Sequence, residues 1–246
     1  MSKALLVFML FAIFGWSKTL RVAISANVSY AVEELAEEFS KTHPEIRVEM
    51  IVSSSGKLTA QIIHKAPFDI FLSADMQYPK KLYKMGLSSK PKLYARGTLA
   101  LFSKKSREFS QGLNLLREPT IKKIVVANPK VAPYGRATLE ALKKQGVYQN
   151  IKSKLIFGES VSQTLSYSLK VADVGVVAKS LLLSPKMSQF KRGSNWIEID
   201  SSFYTPIEQG VVILNSKNRE DAKLFLEFLS TKRAKEILKK YGYLIN

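Results

Sequence analysis

Along the chain, short apolar runs alternate with stretches in which apolar residues recur at helical spacing. "TLRVAIS" (residues 19–25) reads as a buried strand. Just after it, Ala31, Val32, Leu35, Ala36 and Phe39 fall on one helical face, with Glu33, Glu34, Glu37 and Glu38 largely outside it. The pair His43-Pro44 ends that helix, because proline disfavours helical backbone in the residue before it. "IRVEMIV" (46–52) is the next strand. The polar loop "SSSGK" then leads into a short helix marked by Leu58, Ile62 and Ile63, and "FDIFLSAD" (68–75) is a further strand.

From Gly97 the pattern begins again. "TLALFS" and "IKKIVVAN" are strands, and "PYGRATLEALKKQG" is a helix with Leu139 and Leu142 inward. "KLIFG" precedes a helix carrying Val161, Leu165 and Leu169, and "DVGVVA" (173–178) is one more strand. "IEQGVVIL" is a late strand, and two helices between residues 219 and 240 follow. This alternation predicts an α/β architecture with mainly parallel sheets. Two lobes fit the layout, with crossings near residues 94–98 and 203–209. The expected division is 18–96 for the first lobe, 97–206 for the second, and 207–246 returning to complete the first.

The segment before residue 18 has a separate reading. "MSKALLVFMLFAIFGWSK" combines Lys3, an apolar run from Ala4 to Phe14, and small residues Gly15 and Ser17. That is the pattern of a secretory signal peptide cleaved after Ser17, and the run is short for a bilayer span. Among its 246 residues the chain has no cysteine. An exported product then rests on its core rather than on disulfides, and carries no lipid-modified cysteine. A Gram-negative periplasm is the expected location.

The formal charge is +18 at neutral pH, from 38 Lys and Arg against 20 Asp and Glu. The basic residues are scattered, and no stretch joins them to aromatics in a nucleic-acid motif, so a solvated surface that mildly attracts anions is expected.

Ligands of open α/β sheets bind where strands end and helices begin. Four such turns are "ANVS", "SSSGK", "APYG" and "GESVS". Each sets short polar residues or glycine beside N–H groups that a helix cannot satisfy internally. Asn27 brings an amide, Ser53, Ser54 and Ser55 bring hydroxyls, and Tyr134 brings a phenol. The only carboxylate in the set is Glu159, expected to cap its own helix. Such neutral donors suit a compact dehydrated anion. "GK" at 56–57 is not a nucleotide P-loop, which needs glycine where Ile51 stands and Ser or Thr where Leu58 stands.

The blocks "VAISANVSYAVEELAEEF", "SSSGKLTAQIIHKAPFDIFLSAD", "NPKVAPYGRATLEAL" and "KKYGYLIN" occur in this order across residues 18–246. Together they resemble the periplasmic molybdate-binding proteins of ABC importers. The resemblance implies the two-lobed periplasmic-binding-protein fold of the second type, closing on one tetrahedral oxyanion. It implies molybdate or tungstate as ligand, a membrane permease as partner, no cofactor and no catalysis. By position it carries ligand binding onto Asn27, Ser55, Tyr134 and Val161, with Ser54 and Gly56 N–H groups beside Ser55 and backbone donation from Tyr134 and Val161. A tyrosine of some members falls at Ala178, which leaves the Asn27 amide or the Tyr134 phenol to supply the missing donor.

Other residues read as scaffold or surface. His43 and His64 are expected to be exposed, and without cysteine or a histidine cluster a transition-metal site has no support. Asp69 and Asp75 are expected to serve the scaffold, and Lys57 and Arg136 to lie at the surface, with ligand contact as the alternative. The nearest rival is the same fold selecting sulfate or phosphate. An exported phosphoester enzyme is the rival of another class, and it lacks a base to pair with Ser55. The mature chain is expected to be a monomer that binds no nucleic acid.

Overall fold

The computed structural model describes residues 18–245; the leader reading therefore lies outside the described residues. Strand β1 (Lys18–Ser25) is followed by a 3₁₀ turn (Ala26–Val28) and α1 (Ser29–Ser40). Then come β2 (Ile46–Ser53), α2 (Ser55–Ile63), β3 (Ile70–Ser73), α3 (Gln77–Lys84) and β4 (Lys92–Gly97). The chain continues through β5 (Leu99–Phe102), β6 (Ile124–Ala127), α4 (Pro133–Lys144) and α5 (Tyr148–Ile151). It proceeds to β7 (Leu155–Gly158), α6 (Val161–Lys170), β8 (Val174–Ala178), α7 (Lys179–Leu182) and β9 (Trp196–Glu198). Last are β10 (Ile207–Ile213), α8 (Arg219–Phe228) and α9 (Lys232–Lys240).

These strands form two five-stranded sheets, ordered β2-β1-β3-β10-β4 and β7-β6-β8-β5-β9. In each, three parallel strands carry the strand-to-helix turns: β1 pairs with β2 and β3, and β6 pairs with β7 and β8. The strands reached by crossing between sheets enter antiparallel, β10 between β3 and β4, and β5 between β8 and β9. Only Thr98 separates β4 in one sheet from β5 in the other, and the second crossing spans residues 199–206. Both sheets are therefore mixed, with helices packed on them, in a two-lobed α/β fold.

Burial explains why the interior strands read as unbroken apolar runs. Every residue of β3, β5, β6 and β8 is buried, as expected for strands covered on both faces, whereas the edge strand β2 is exposed at Arg47, Glu49 and Val52. On one side of the first sheet, Val32, Leu35 and Phe39 of α1 pack with Phe225 and Leu238 of the last two helices. On the other, Leu58, Ile62 and Leu82 pack against Phe71 and Val212. A separate core around Phe102, Val126, Leu142 and Trp196 fills the second lobe.

His43 departs from its expected exposure. It is half-buried and stacks on Phe39 with ring centroids 4.4 Å apart, because the turn that ends α1 folds back over the helix. His64 is exposed as expected. Asp69 is buried in the scaffold, where it accepts from the Arg21 N–H at 2.7 Å and from Asn218 Nδ2 at 3.2 Å.

Candidate oxyanion site

The strand-to-helix turns of both sheets converge on one small cavity. Ser25, Ala26, Asn27, Ser54, Ser55, Ala74, Ala132, Pro133, Tyr134 and Val161 line it. It leaves about 10 Å³ for the centre of a water-sized sphere. That is roughly the space one water requires, so the walls are nearly closed on one another. None of these lining residues carries a charge.

All four residues singled out from the sequence, Asn27, Ser55, Tyr134 and Val161, line this cavity. Val161 opens α6 and Pro133-Tyr134 opens α4, so both bring first-turn N–H groups that lack intrahelical partners. Proline at the α4 start removes no needed bond there, since its N–H would have been an orphan in any case. Glu159 does not cap α6. That role falls to Ser160, whose hydroxyl accepts from Gln163 N at 3.2 Å, while Gln163 Oε1 accepts from Glu159 N. The geometry is close to a capping box, and it frees the Glu159 carboxylate to reach Lys57.

Ser55 is tied to Ser25, which sequence reasoning had passed over as the last residue of a strand. Their hydroxyls are 2.5 Å apart, and both accept from the Ala74 N–H, at 2.9 Å for Ser25 and 3.0 Å for Ser55. The three strand ends β1, β2 and β3 are thereby knotted together. The two hydroxyls own two hydrogens, and their mutual bond uses one. The other remains to be donated. Ser54 stands at the N-cap of α2 but makes no capping bond, and its hydroxyl is buried with no partner among the described residues. An N-cap serine ordinarily spends its oxygen on the helix, so Ser54 brings to the cavity wall a hydroxyl that its helix does not use.

Asn27 is 2% exposed, and its side-chain amide is already occupied. Nδ2 donates to Gln209 Oε1 and to Tyr243 Oη, each at 2.8 Å. The backbone carbonyl of Asn27 accepts from Ser180 Oγ at 2.8 Å and from Tyr243 Oη at 2.9 Å. The Tyr134 phenol also turns elsewhere: a Cβ built on Gly97 would stand 2.0 Å from its oxygen, so it lies against the first crossing between the sheets. Burial raises its pKa well above the ordinary phenol value, with Tyr243, Tyr94 and Tyr204 adding to the shift and Asn27 opposing it. Neither Tyr134 Oη nor Asn27 Oδ1 makes a well-formed hydrogen bond among the described residues. Both hydrogens of Asn27 Nδ2 are thus spent on Gln209 and Tyr243 rather than turned into the cavity.

Lys57 and Arg136 do not line the cavity; each instead bridges the lobes. Lys57 Nζ pairs with Glu159 at 2.5 Å, with side chains 43% and 66% exposed. Arg136 pairs with Asp75, donates to Tyr78 Oη at 3.4 Å, and sits 5.3 Å from the Tyr78 ring centre. Backbone and hydroxyl bonds join the lobes as well: Gly56 N donates to Val131 O and Ser162 Oγ to Ala26 O, both at 2.9 Å. Gly56 has a definite reason to be glycine. A Cβ there would stand 2.9 Å from both Cα and O of Val131.

Two lobes shut on a small polar cavity at their strand-to-helix turns define a protein that encloses a small solute. Residues 20–244 match the family described as bacterial extracellular solute-binding protein, and the chain belongs to that family. Molybdate-binding protein ModA of Rhodobacter capsulatus is 34% identical over 226 residues, covering 90% of this chain and 86% of that protein. ModA of Azotobacter vinelandii is likewise 34% identical, over 91% of this chain and 88% of its own length. The solved periplasmic molybdate-binding protein of Azotobacter vinelandii superimposes with a TM-score of 0.86 at 29% identity, covering 92% of this chain and 99% of that one.

Proposed function

We propose that the chain is the extracytoplasmic receptor of an ABC importer for molybdate or tungstate. One observation carries the reading: a closed cavity lined by several hydroxyls and helix starts, with no charged side chain among its lining residues. Fixed neutral dipoles replace the hydration of a compact dianion and hold it by shape, whereas a lysine or arginine in the wall would favour charge over size. The names of the relatives at 34% identity point to the same ligand class.

In this reading Ser55 and Ser54 donate hydroxyls, and the turns at Asn27, Tyr134 and Val161 donate backbone N–H groups. Residues 18–96 with 207–246 form one lobe and 97–206 the other. Closure joins them over the ligand and presents a single surface to the membrane permease. The chain acts as a monomer without a cofactor, does no chemistry on its ligand, and reaches the periplasm after removal of residues 1–17.

The test is calorimetric titration of ligand-stripped protein with molybdate, tungstate, sulfate and phosphate. The first two should bind far more tightly than the others. Equal competition by sulfate or phosphate would overturn the assignment.

A further inference from the structure

Asn27, Gln209 and Tyr243 are distant in sequence but joined in one buried network whose hydrogen bonds allow little choice of orientation. Gln209 is fully buried on β10. Its Nε2 donates to Ile207 O at 2.9 Å and lies 3.4 Å from Ala74 O. Turning the amide over would set its oxygen against those two carbonyl oxygens, so Oε1 must face Asn27. An acceptor there obliges Asn27 to present Nδ2 rather than Oδ1, and the second hydrogen of Nδ2 goes to Tyr243 Oη. Tyr243, 3% exposed, closes the ring by giving its one hydrogen to Asn27 O at 2.9 Å, with Ser180 Oγ 3.2 Å away. Ser180 lies on α7, directly after β8 of the second sheet, and bonds the same Asn27 carbonyl.

We infer that Gln209 and Tyr243 are positioning residues for the oxyanion site. They hold the Asn27 turn at the height in the cavity wall where Ser180 of the other lobe can meet its carbonyl on closure. Neither residue is among those lining the cavity, so each acts on the ligand through Asn27. The strand that returns from the second lobe and the segment after α9 thereby set the first binding turn.

The experiment compares Asn27→Ala, Gln209→Ala, Tyr243→Phe and the double variant Asn27→Ala/Gln209→Ala in the full mature chain. Molybdate affinity is read by calorimetry; this arm rests on the function proposed above. Gln209→Ala and Tyr243→Phe should each weaken binding by about tenfold, the scale of a lost buried hydrogen bond. The double variant should be no more than about threefold weaker than the worse single, because residues acting through one another are not additive. Multiplying losses would overturn the inference.

The second readout needs no ligand. The Asn27 side-chain amide protons, assigned by NMR in the ligand-free protein, should be protected from exchange in the wild type and lose protection in both Gln209→Ala and Tyr243→Phe. Protection retained in either variant would overturn the inference even if the wild type binds no oxyanion, an outcome that on its own would remove only the functional reading. If Gln209→Ala fails to fold, Tyr243→Phe, which keeps the ring and removes one hydroxyl, decides the matter through both readouts, with Asn27→Ala/Tyr243→Phe as its double variant.

Discussion

The Arg136 guanidinium, carried by α4 of the second lobe, pairs across the cleft with the Asp75 carboxylate just beyond β3 of the first. Burial raises the Asp75 pKa above its ordinary value of 3.8, although the Tyr78 N–H and Arg136 both act to lower it. The sign follows from linkage. A carboxyl whose pKa is higher in the folded state contributes stability below the unfolded value of 3.8, and that contribution is lost as pH rises through the raised folded pKa. Asp75→Asn cannot titrate. Its stability relative to wild type should therefore improve as pH rises from 3.8 through that window, read by urea unfolding at a series of pH values. Parallel profiles would mean that Asp75 does not titrate in this way.

Removing the other partner should act on closure. Arg136→Ala leaves a desolvated carboxylate facing the cleft, yet the pair is partly open to water, with Arg136 33% exposed. The expected loss of molybdate affinity is roughly 1 kcal/mol, above the median for surface pairs and below that for buried ones. Abolished binding would make Arg136 a ligand contact, contrary to its place outside the cavity.

Lys57→Ala should change affinity by less than about 1 kcal/mol, because its pair with Glu159 is largely solvated. Its effect belongs to association at low salt, where positive charge beside the cleft steers an anion. Stopped-flow mixing at two ionic strengths separates the two effects.

Ser54 offers a change of opposite sign in two measurements. Its hydroxyl is buried without a partner among the described residues, so Ser54→Ala should leave the ligand-free melting temperature unchanged or higher. Molybdate binding should weaken by roughly 1.5–3 kcal/mol, the worth of a hydrogen bond to a charged group. A fall in ligand-free stability with affinity intact would show that the hydroxyl serves the fold.

Gly56→Ala places a methyl 2.9 Å from the Val131 backbone, which has no flexible end to move aside. Overpacking of this kind costs about 1–3 kcal/mol, here charged to the closed form. Calorimetry should show affinity reduced about tenfold or more, with small-angle scattering reporting a more open ligand-free molecule.

Much of this arrangement was legible in the sequence because burial on both faces makes strands such as 124–127 and 174–178 unbroken apolar runs. The helical face Ala31, Val32, Leu35 and Phe39 was equally plain. The three-residue β9 carries no such signal; it exists through its pairing with β5, almost a hundred positions earlier. At the site, position after a strand was enough to mark the four turns, and the family resemblance picked Asn27, Ser55, Tyr134 and Val161 within them, all of which line the cavity; neither says where a side chain turns. Asn27 is aimed by Gln209 and Tyr243, 182 and 216 positions away, and periodicity within a window has no term for such partners. Ser25 went unnoticed because a serine closing an apolar strand reads as an ordinary strand end.

The place of β10 between β3 and β4 has a consequence during synthesis. Chain growth delivers β1, β2, β3 and β4 before the strand that lies between the last two exists. Until residues 207–213 emerge, β3 and β4 have no common neighbour, and Gln209 is not there to orient Asn27. A nascent chain thus cannot complete the cavity wall while much of its length is still being made.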